Sequence, residues 1–116
     1  MSIQQQKYYN ILLVGDSCFD IYHYGTCERV SPEAPVLVMK KQGHKIVDGM
    51  CGNVKNNIDN FSNYNNVIYF TNPEEISKNR FVDTNYNQQL LRVDEGEAFK
   101  LRSFDTRLIP ESFEPN

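Results

Sequence analysis

Two aspartates, Asp16 and Asp20, follow an apolar run at residues 11–14 and stand four positions apart in the segment GDSCFD. Paired carboxylates can work as a general acid and base, or they can accept hydrogen bonds from the hydroxyl groups of a polyol. An open α/β sheet presents such groups at the carboxyl ends of its buried strands, where these folds bind ligands. The alternative is a strand and turn in which both aspartates only bond to the local backbone, because short apolar runs are ambiguous.

The composition is that of a single globular domain. A chain of 116 residues can bury a modest core, and its apolar and aromatic content argues against disorder. The net charge of -3, without a basic block, argues against a nucleic-acid or anionic-membrane surface. No apolar stretch is long enough to cross a bilayer, and the polar first six residues do not form a signal peptide. We therefore expect a cytoplasmic protein.

Residue types that ligate metals are few and scattered along the chain. Cys18, Cys27 and Cys51 form an odd set without CxxC spacing, which is typical of reduced thiols rather than of a disulfide scaffold or zinc knuckle. His23 and His44 add no recognisable spacing. The sequence thus predicts no metal site.

The hydrophobic pattern predicts short strands and one weak helix. Apolar residues recur at helical spacing over residues 53–61, with Asn53 as the N-cap. Residues 36–40 and 41–47 are predicted as strands that pair with each other, and residues 84–87 as a hairpin turn. Residues 95–116 are predicted as an irregular tail. The remaining predicted strands are residues 11–14, 21–25, 67–70, 80–83 and 89–94.

Four segments together carry a family resemblance. Residues 15–25 read GDSCFDIYHYG, residues 29–36 read RVSPEAPV, residues 49–58 read GMCGNVKNNI, and residues 87–94 read NQQLLRVD. In this order they resemble the N-terminal part of ribokinase-like (PfkB-type) carbohydrate kinases. The RVSPEAPV string is similar to the branch that phosphorylates D-glycero-β-D-manno-heptose 7-phosphate.

The resemblance implies an α/β fold: a truncated ribokinase-like (Rossmann-like) sheet fragment with a β-sheet lid, forming one domain over residues 1–116. The lid strands would occupy about residues 21–47 and 80–94, and residues 11–14 and 67–70 would belong to the main sheet. Because many family members dimerise through the lid, the resemblance also implies a homo-oligomer.

Three residues match the family's sugar site. Asp20 matches the aspartate that holds sugar hydroxyls. Gly49 and Asn53 match the first glycine and the closing asparagine of a Gly-Gly-x-x-Asn element, whose glycines let the backbone approach the sugar. Met50 replaces the second glycine, and its Cβ would crowd a ligand there.

Three basic residues, Lys78, Arg80 and Arg92, match positions in the lid-strand region of the family. The resemblance implies that they could face a sugar phosphate, with exposed strand charges as the alternative. The expected partner is therefore a sugar or sugar phosphate.

Two family segments have no counterpart. The stretch between Phe70 and Ile76 is much shorter than in the family, so a strand and a helix of the main sheet are missing. No Gly-Ala-Gly-Asp motif supplies the anion hole and catalytic base, so we assign no catalytic residue and expect little phosphoryl transfer. We expect no cofactor on this chain, although the full-length family uses ATP and Mg.

The function predicted from these features is that of the sugar-binding and lid portion of a heptose-phosphate-like kinase, not catalytically competent alone. The alternative is a non-catalytic interaction module. Such a module would self-associate through its lid sheet, or dock on a chain carrying the nucleotide-binding half, because exposed apolar patches mark interaction sites.

Overall fold

The computed structural model describes residues 9–61, 66–96, 106–111 and 113. The α/β class predicted from the sequence is confirmed. The predicted polar lead-in and most of the tail 95–116 lie outside the described residues. The elements are β1 (Asn10–Val14), β2 (Ser17–Val30), β3 (Leu37–Met50), α1 (Cys51–Phe61), β4 (Asn66–Phe70), β5 (Ser77–Asp83), β6 (Gln88–Glu95) and a 3-10 turn at Thr106–Leu108.

The strands form two separate sheets. β1 and β4 pair in parallel, while the second sheet has the order β3-β2-β5-β6, with β2 and β5 parallel and the other pairs antiparallel. Helix α1 packs against β1, β2 and β3. The sequence predicted β1 and β4 as buried, but their apolar residues remain partly exposed, and Val14 is 48% exposed. Parallel sheets are normally covered on both faces, and α1 covers only part of this one.

The two long strands of the four-stranded sheet are β2, which lies in the middle, and β3, which lies at one edge. The prediction that residues 36–40 and 41–47 are two strands paired with each other is wrong, because they form one continuous strand, β3, which pairs with β2. A β-bulge follows Tyr24, where the register shifts. Gly25 is required there, since a Cβ would come within 2.5 Å of the Lys40 carbonyl oxygen.

Helix α1 begins at Cys51, so the prediction that Asn53 is its N-cap is wrong. The chain turns from β3 into the helix at Met50, whose φ of 53° lies in the left-handed region. The Cys51 N–H donates to the Asp16 carbonyl at 2.9 Å, which anchors the start of the helix beside the end of β1. A backbone bond therefore replaces the side-chain cap that the sequence predicted.

Glycine in place of Met50 should raise the free energy of unfolding by about 0.5–1 kcal/mol. A left-handed φ costs a residue with a Cβ about 1–2 kcal/mol, and the extra flexibility of glycine offsets part of the gain. Met50 is 45% exposed, so little packing is lost. Asn87 has a φ of 48° and provides the control. Asparagine tolerates this region, so Asn87→Gly should change the urea midpoint much less. Equal effects would contradict the explanation.

The molecule is thin. Its principal extents are 65 × 47 × 15 Å, and no large side chain among the described residues is fully buried. A sheet-on-sheet sandwich has a second sheet about 10 Å away, whereas in the described part of the chain no second sheet covers the four-stranded sheet, and only α1 packs against β2 and β3. Within the same residues, no helix combines the length and apolar character that spanning a membrane requires. Among the described residues, much of each face of this sheet is therefore open to solvent.

Candidate functional site

Strand alternation places most of the predicted site residues on one face of the four-stranded sheet, which we call the polar face. Asp20 is in register with Lys78 of β5, and Lys78 with Asp94 of β6. One pleat further along, Arg80 is opposite Arg92. Side chains two residues apart share a face, so these positions all lie together. The polar face comprises Cys18, Asp20 and Tyr22 of β2, Lys45, Val47 and Gly49 of β3, Lys78 and Arg80 of β5, and Arg92 and Asp94 of β6.

Asp20 and Arg80 form the central contact of the polar face. The Arg80 Nη1 donates to the Asp20 Oδ1 at 2.7 Å, and both side chains are about four-fifths buried. The hydrogen bond to Asp20 raises the pKa of Arg80 above its ordinary value. The guanidinium also lies 5.4 Å from the centroid of the Tyr22 ring, within cation–π range. The Asp20 carboxylate is therefore held in a fixed orientation by a charged partner, as a group that accepts hydrogen bonds from hydroxyls requires.

Gly49 is buried and lies against the Asp20 carboxylate. A Cβ on Gly49 would collide with the Asp20 Oδ2, and it would come within 2.8 Å of the Cys18 Sγ. The glycine thus leaves the space that the carboxylate occupies. Asn53, the third residue of α1, has an exposed side chain. Asn53 belongs to α1, which directly follows β3 in the chain, and it does not lie on the polar face.

The other two basic residues differ in their surroundings. Arg92 donates from Nη2 to the Asp94 Oδ2 at 2.9 Å, and its Nε lies 2.9 Å from the Asp94 Oδ1. Lys78 lies between Asp20 and Asp94 in the register, yet within the described residues it forms no ion pair. With Lys45 of β3, four cations thus share the polar face with two carboxylates, and among the three predicted basic residues the Lys78 ammonium is the charge best placed to meet an anion.

Two cysteines near the polar face are buried thiols. Burial raises the pKa of Cys18, and the neighbouring Asp20 charge adds to this. Burial also raises the pKa of Cys51, with a further contribution from Asp16. Because the thiolate is the reactive form, both groups are expected to be poor nucleophiles.

Alkylation by iodoacetamide at pH 8 should therefore modify Cys18 and Cys51 roughly tenfold more slowly than Cys27. Cys18 and Cys51 are 5% and 9% exposed, whereas Cys27 is only partly buried. Peptide mass spectrometry over a time course gives the three rates, and the same reaction in urea provides the control, where the rates should converge. A Cys18 that reacts as fast as Cys27 in the folded protein would contradict the burial seen here.

Sequence reasoning missed a polar cluster where the two sheets meet. The Asn72 Oδ1 accepts from the Ser17 backbone N–H at 2.6 Å and from the Thr71 hydroxyl at 2.9 Å. The Thr71 hydroxyl also lies 2.7 Å from the Ser17 Oγ. A cleft of about 360 Å³ opens beside the cluster, with Tyr69 in its wall. The signal in the sequence is Thr71-Asn72-Pro73, a turn-forming combination. In the structure, hydrogen bonds of this segment connect the link after β4 to the start of β2.

Comparisons with known proteins agree with the motifs. No family model matches the sequence. The chain is 32% identical over 100 residues to the bifunctional protein HldE of Campylobacter concisus, covering 84% of this chain and 21% of that protein. It is 49% identical over 49 residues to the HldE of Aliarcobacter butzleri, covering 42% of this chain and 10% of that protein. The crystal structure of ribokinase from Thermotoga maritima matches 74% of this chain and 36% of the other, with a TM-score of 0.43 and 14% identity.

Proposed function

We propose that the polar face of this chain binds a sugar phosphate, because the chain is homologous to a part of the bifunctional protein HldE. In the Campylobacter protein the matched part is about a fifth of the length. The ligand class is that of the heptose 7-phosphate kinases which the motifs resemble. The single observation that carries the proposal is the grouping of an oriented carboxylate, Asp20, with the cations Lys78, Arg80 and Arg92 on one face.

Each group has a chemical role in this binding mode. The Asp20 Oδ1 is held by Arg80, and the carboxylate retains lone pairs that can accept hydrogen bonds from sugar hydroxyls. The Lys78 ammonium supplies a compact positive charge for a phosphate, and the Arg92 guanidinium can offer parallel N–H donors to one. Asn53 adds an amide at the edge nearest α1. Both ends of a phosphorylated polyol are thereby matched by groups of suitable charge.

Binding without phosphoryl transfer is the activity that we propose for these residues by themselves. Transfer needs a positioned base and donors that stabilise the developing charge. The 116 residues contain no Gly-Ala-Gly-Asp motif to supply them. ATP and Mg would accordingly be bound by other residues. Three free thiols, Cys18, Cys27 and Cys51, favour a reducing compartment, and we propose the cytoplasm.

Isothermal titration calorimetry with three ligands tests the proposal. D-glycero-D-manno-heptose 7-phosphate should bind at least roughly tenfold more tightly than the unphosphorylated heptose, because one charged contact is worth about 1.5–3 kcal/mol. Inorganic phosphate alone should bind more weakly than the phosphorylated sugar, since it leaves Asp20 without a partner hydroxyl. Absence of binding by the phosphorylated sugar, or equal affinity for phosphate alone, would refute the proposal.

A second candidate function, self-association, is favoured by the opposite surface of the same sheet. We call this surface the apolar face. It includes apolar side chains of β2, β3 and β6 that remain exposed to solvent: Ile46 is 55%, Leu91 58%, and Phe19 and Val93 are each 38% exposed. A contiguous exposed apolar patch is typical of an interaction site. Docking on a chain with the nucleotide-binding half is the other form of this candidate, and the half-exposed β1 and β4 favour it.

Glutamate in place of Ile46 should shift the chain towards a monomer. A charge at the centre of an apolar interface must be desolvated without a partner, so we expect self-association to weaken by roughly a hundredfold. Val36 has the same exposed fraction, 55%, but lies outside the sheet, so Val36→Glu is the matched control. Light scattering over a range of concentrations reports the mass. A wild-type chain that is monomeric throughout would contradict self-association.

A further inference from the structure

Two histidines that are 21 positions apart in the sequence become direct neighbours on the apolar face. His23 of β2 and His44 of β3 are partners in the antiparallel register, and their ring centroids are 6.3 Å apart. We propose that His23 and His44 form a binding site for a borderline divalent metal ion such as Zn²⁺. The sequence predicted no metal site because this spacing matches no motif, and only the pairing of β2 with β3 reveals the site.

The hydrogen bonds around His23 assign its tautomer. The Asn79 Nδ2 donates to the Ser77 Oγ at 3.2 Å and to the Val93 carbonyl at 3.3 Å, which turns the Asn79 Oδ1 towards His23. That oxygen lies 2.9 Å from the His23 Nε2. Since an amide oxygen can only accept, Nε2 carries a proton, and in the neutral ring the lone pair is on Nδ1.

Of the two ring nitrogens of His23, Nδ1 is the one left for a ligand. It is buried and has no hydrogen-bond partner within the part of the chain that the structure describes. Histidines that bind metals typically donate the other ring N–H to an oxygen acceptor, which fixes the ring and its tautomer. Asn79 supplies this acceptor, and Phe81 adds a stacked ring at 4.7 Å. His23 is thus held in the form that a metal ligand requires.

His44 provides the second, movable ligand. Its side chain is exposed, and directly opposite residues of an antiparallel pair have Cβ atoms about 5 Å apart. Zinc–nitrogen bonds of about 2.0–2.1 Å place two imidazole nitrogens about 3.3 Å apart in a tetrahedral site, which rotation of the His44 ring can reach. The described residues contain no group of three or more His, Cys, Asp or Glu side chains around one metal position. His23 and His44 are thus the two protein ligands of the proposed site, and water fills the remaining positions on the ion.

Titration of the reduced 116-residue chain with Co²⁺, a spectroscopic substitute for Zn²⁺, tests the site. The wild-type chain should bind one Co²⁺ with ligand-field absorption and without a thiolate-to-cobalt charge-transfer band. Gln in place of the exposed His44 should weaken binding at least roughly tenfold without disturbing the fold, and Asn79→Ala should weaken it roughly 10–100-fold by freeing the His23 ring. Competition with Zn²⁺ should remove the Co²⁺ signal.

Two outcomes would overturn this site. One is an unchanged Co²⁺ affinity in His44→Gln, and the other is a thiolate charge-transfer band, which would place the metal on the cysteines. Circular dichroism of each variant establishes that the sheet is retained. Nitrogen-15 NMR of the imidazole rings adds a direct reading, because Zn²⁺ should shift the His23 Nδ1 resonance and leave Nε2 protonated. The site does not depend on sugar binding, which involves the other face of the sheet.

Discussion

Alanine in place of Gly49 should lower the free energy of unfolding by about 1–3 kcal/mol and loosen the Asp20–Arg80 contact. The new Cβ would meet the Cys18 Sγ at 2.8 Å and would collide with the Asp20 carboxylate. Overpacking of a tight site costs about 1–3 kcal/mol. The collision also pushes Asp20 away from Arg80, so binding of a sugar phosphate should fall together with stability. Urea unfolding measures the change in the free energy of unfolding, provided that the denaturant m-value is unchanged. Calorimetric titration measures the change in affinity for the sugar phosphate.

The same strand offers a matched control, Gly43→Ala. A Cβ at Gly43 meets nothing within 4 Å, so the change should stay within about 0.5 kcal/mol, as for most exposed sites. Both substitutions add one methyl group to β3 and remove the same backbone freedom. If the two variants had equal midpoints, the close approach of Gly49 to Asp20 would have no energetic consequence, and the steric explanation would be wrong.

Asparagine in place of Asp20 should weaken binding of the heptose phosphate by roughly 10–150-fold. The change keeps the shape of the side chain but removes the charge that the Arg80 guanidinium and the sugar hydroxyls share. Hydrogen bonds to charged groups contribute about 1.5–3 kcal/mol, and each 1.4 kcal/mol corresponds to a factor of ten. Calorimetric titration with the phosphorylated sugar gives the ratio of dissociation constants directly.

Asp94→Asn is the control that distinguishes a local effect at Asp20 from an effect of the net charge of the polar face. Asp94 is also on the polar face, and it pairs with Arg92 near the surface. Its loss frees Arg92 for the phosphate, so affinity should stay the same or rise slightly. Equal weakening by both variants would mean that only the total charge of the face matters. Unchanged binding in Asp20→Asn would remove Asp20 from the site.

The strands could be predicted where local pattern decides them. The apolar runs at β1 and β4 are continuous, and the turn at residues 84–87 separates two alternating runs, so these elements match the prediction. The length of β3 could not be read in the same way. Residues 40–45 are largely polar on both faces, and only pairing with β2 keeps them extended. The start of α1 depends on a backbone bond to Asp16, which no residue type signals.

The residues of the proposed site were predicted from the resemblance, but their mutual contacts were not. Asp20 and Arg80 are 60 residues apart and meet because β5 pairs in parallel beside β2. The separation of the two residues in the sequence does not predict this register. Neither the close contact of Gly49 with the carboxylate nor the juxtaposition of His23 with His44 is local in the chain. Tertiary pairing therefore decides which of the candidate groups can act together.

The outer strands of the four-stranded sheet, β3 and β6, determine how the molecule can meet other chains. An edge strand offers unpaired N–H and C=O groups that can template aggregation, and charged side chains discourage this. The edge strand β3 carries the exposed side chains of Lys40, Lys41 and Lys45, while β6 carries Arg92 and Glu95. Strand addition to the sheet would bring such charges into contact with an incoming chain. The lysine-rich border thus disfavours fibril growth by strand addition at β3, so the self-association proposed above would use a face of the sheet.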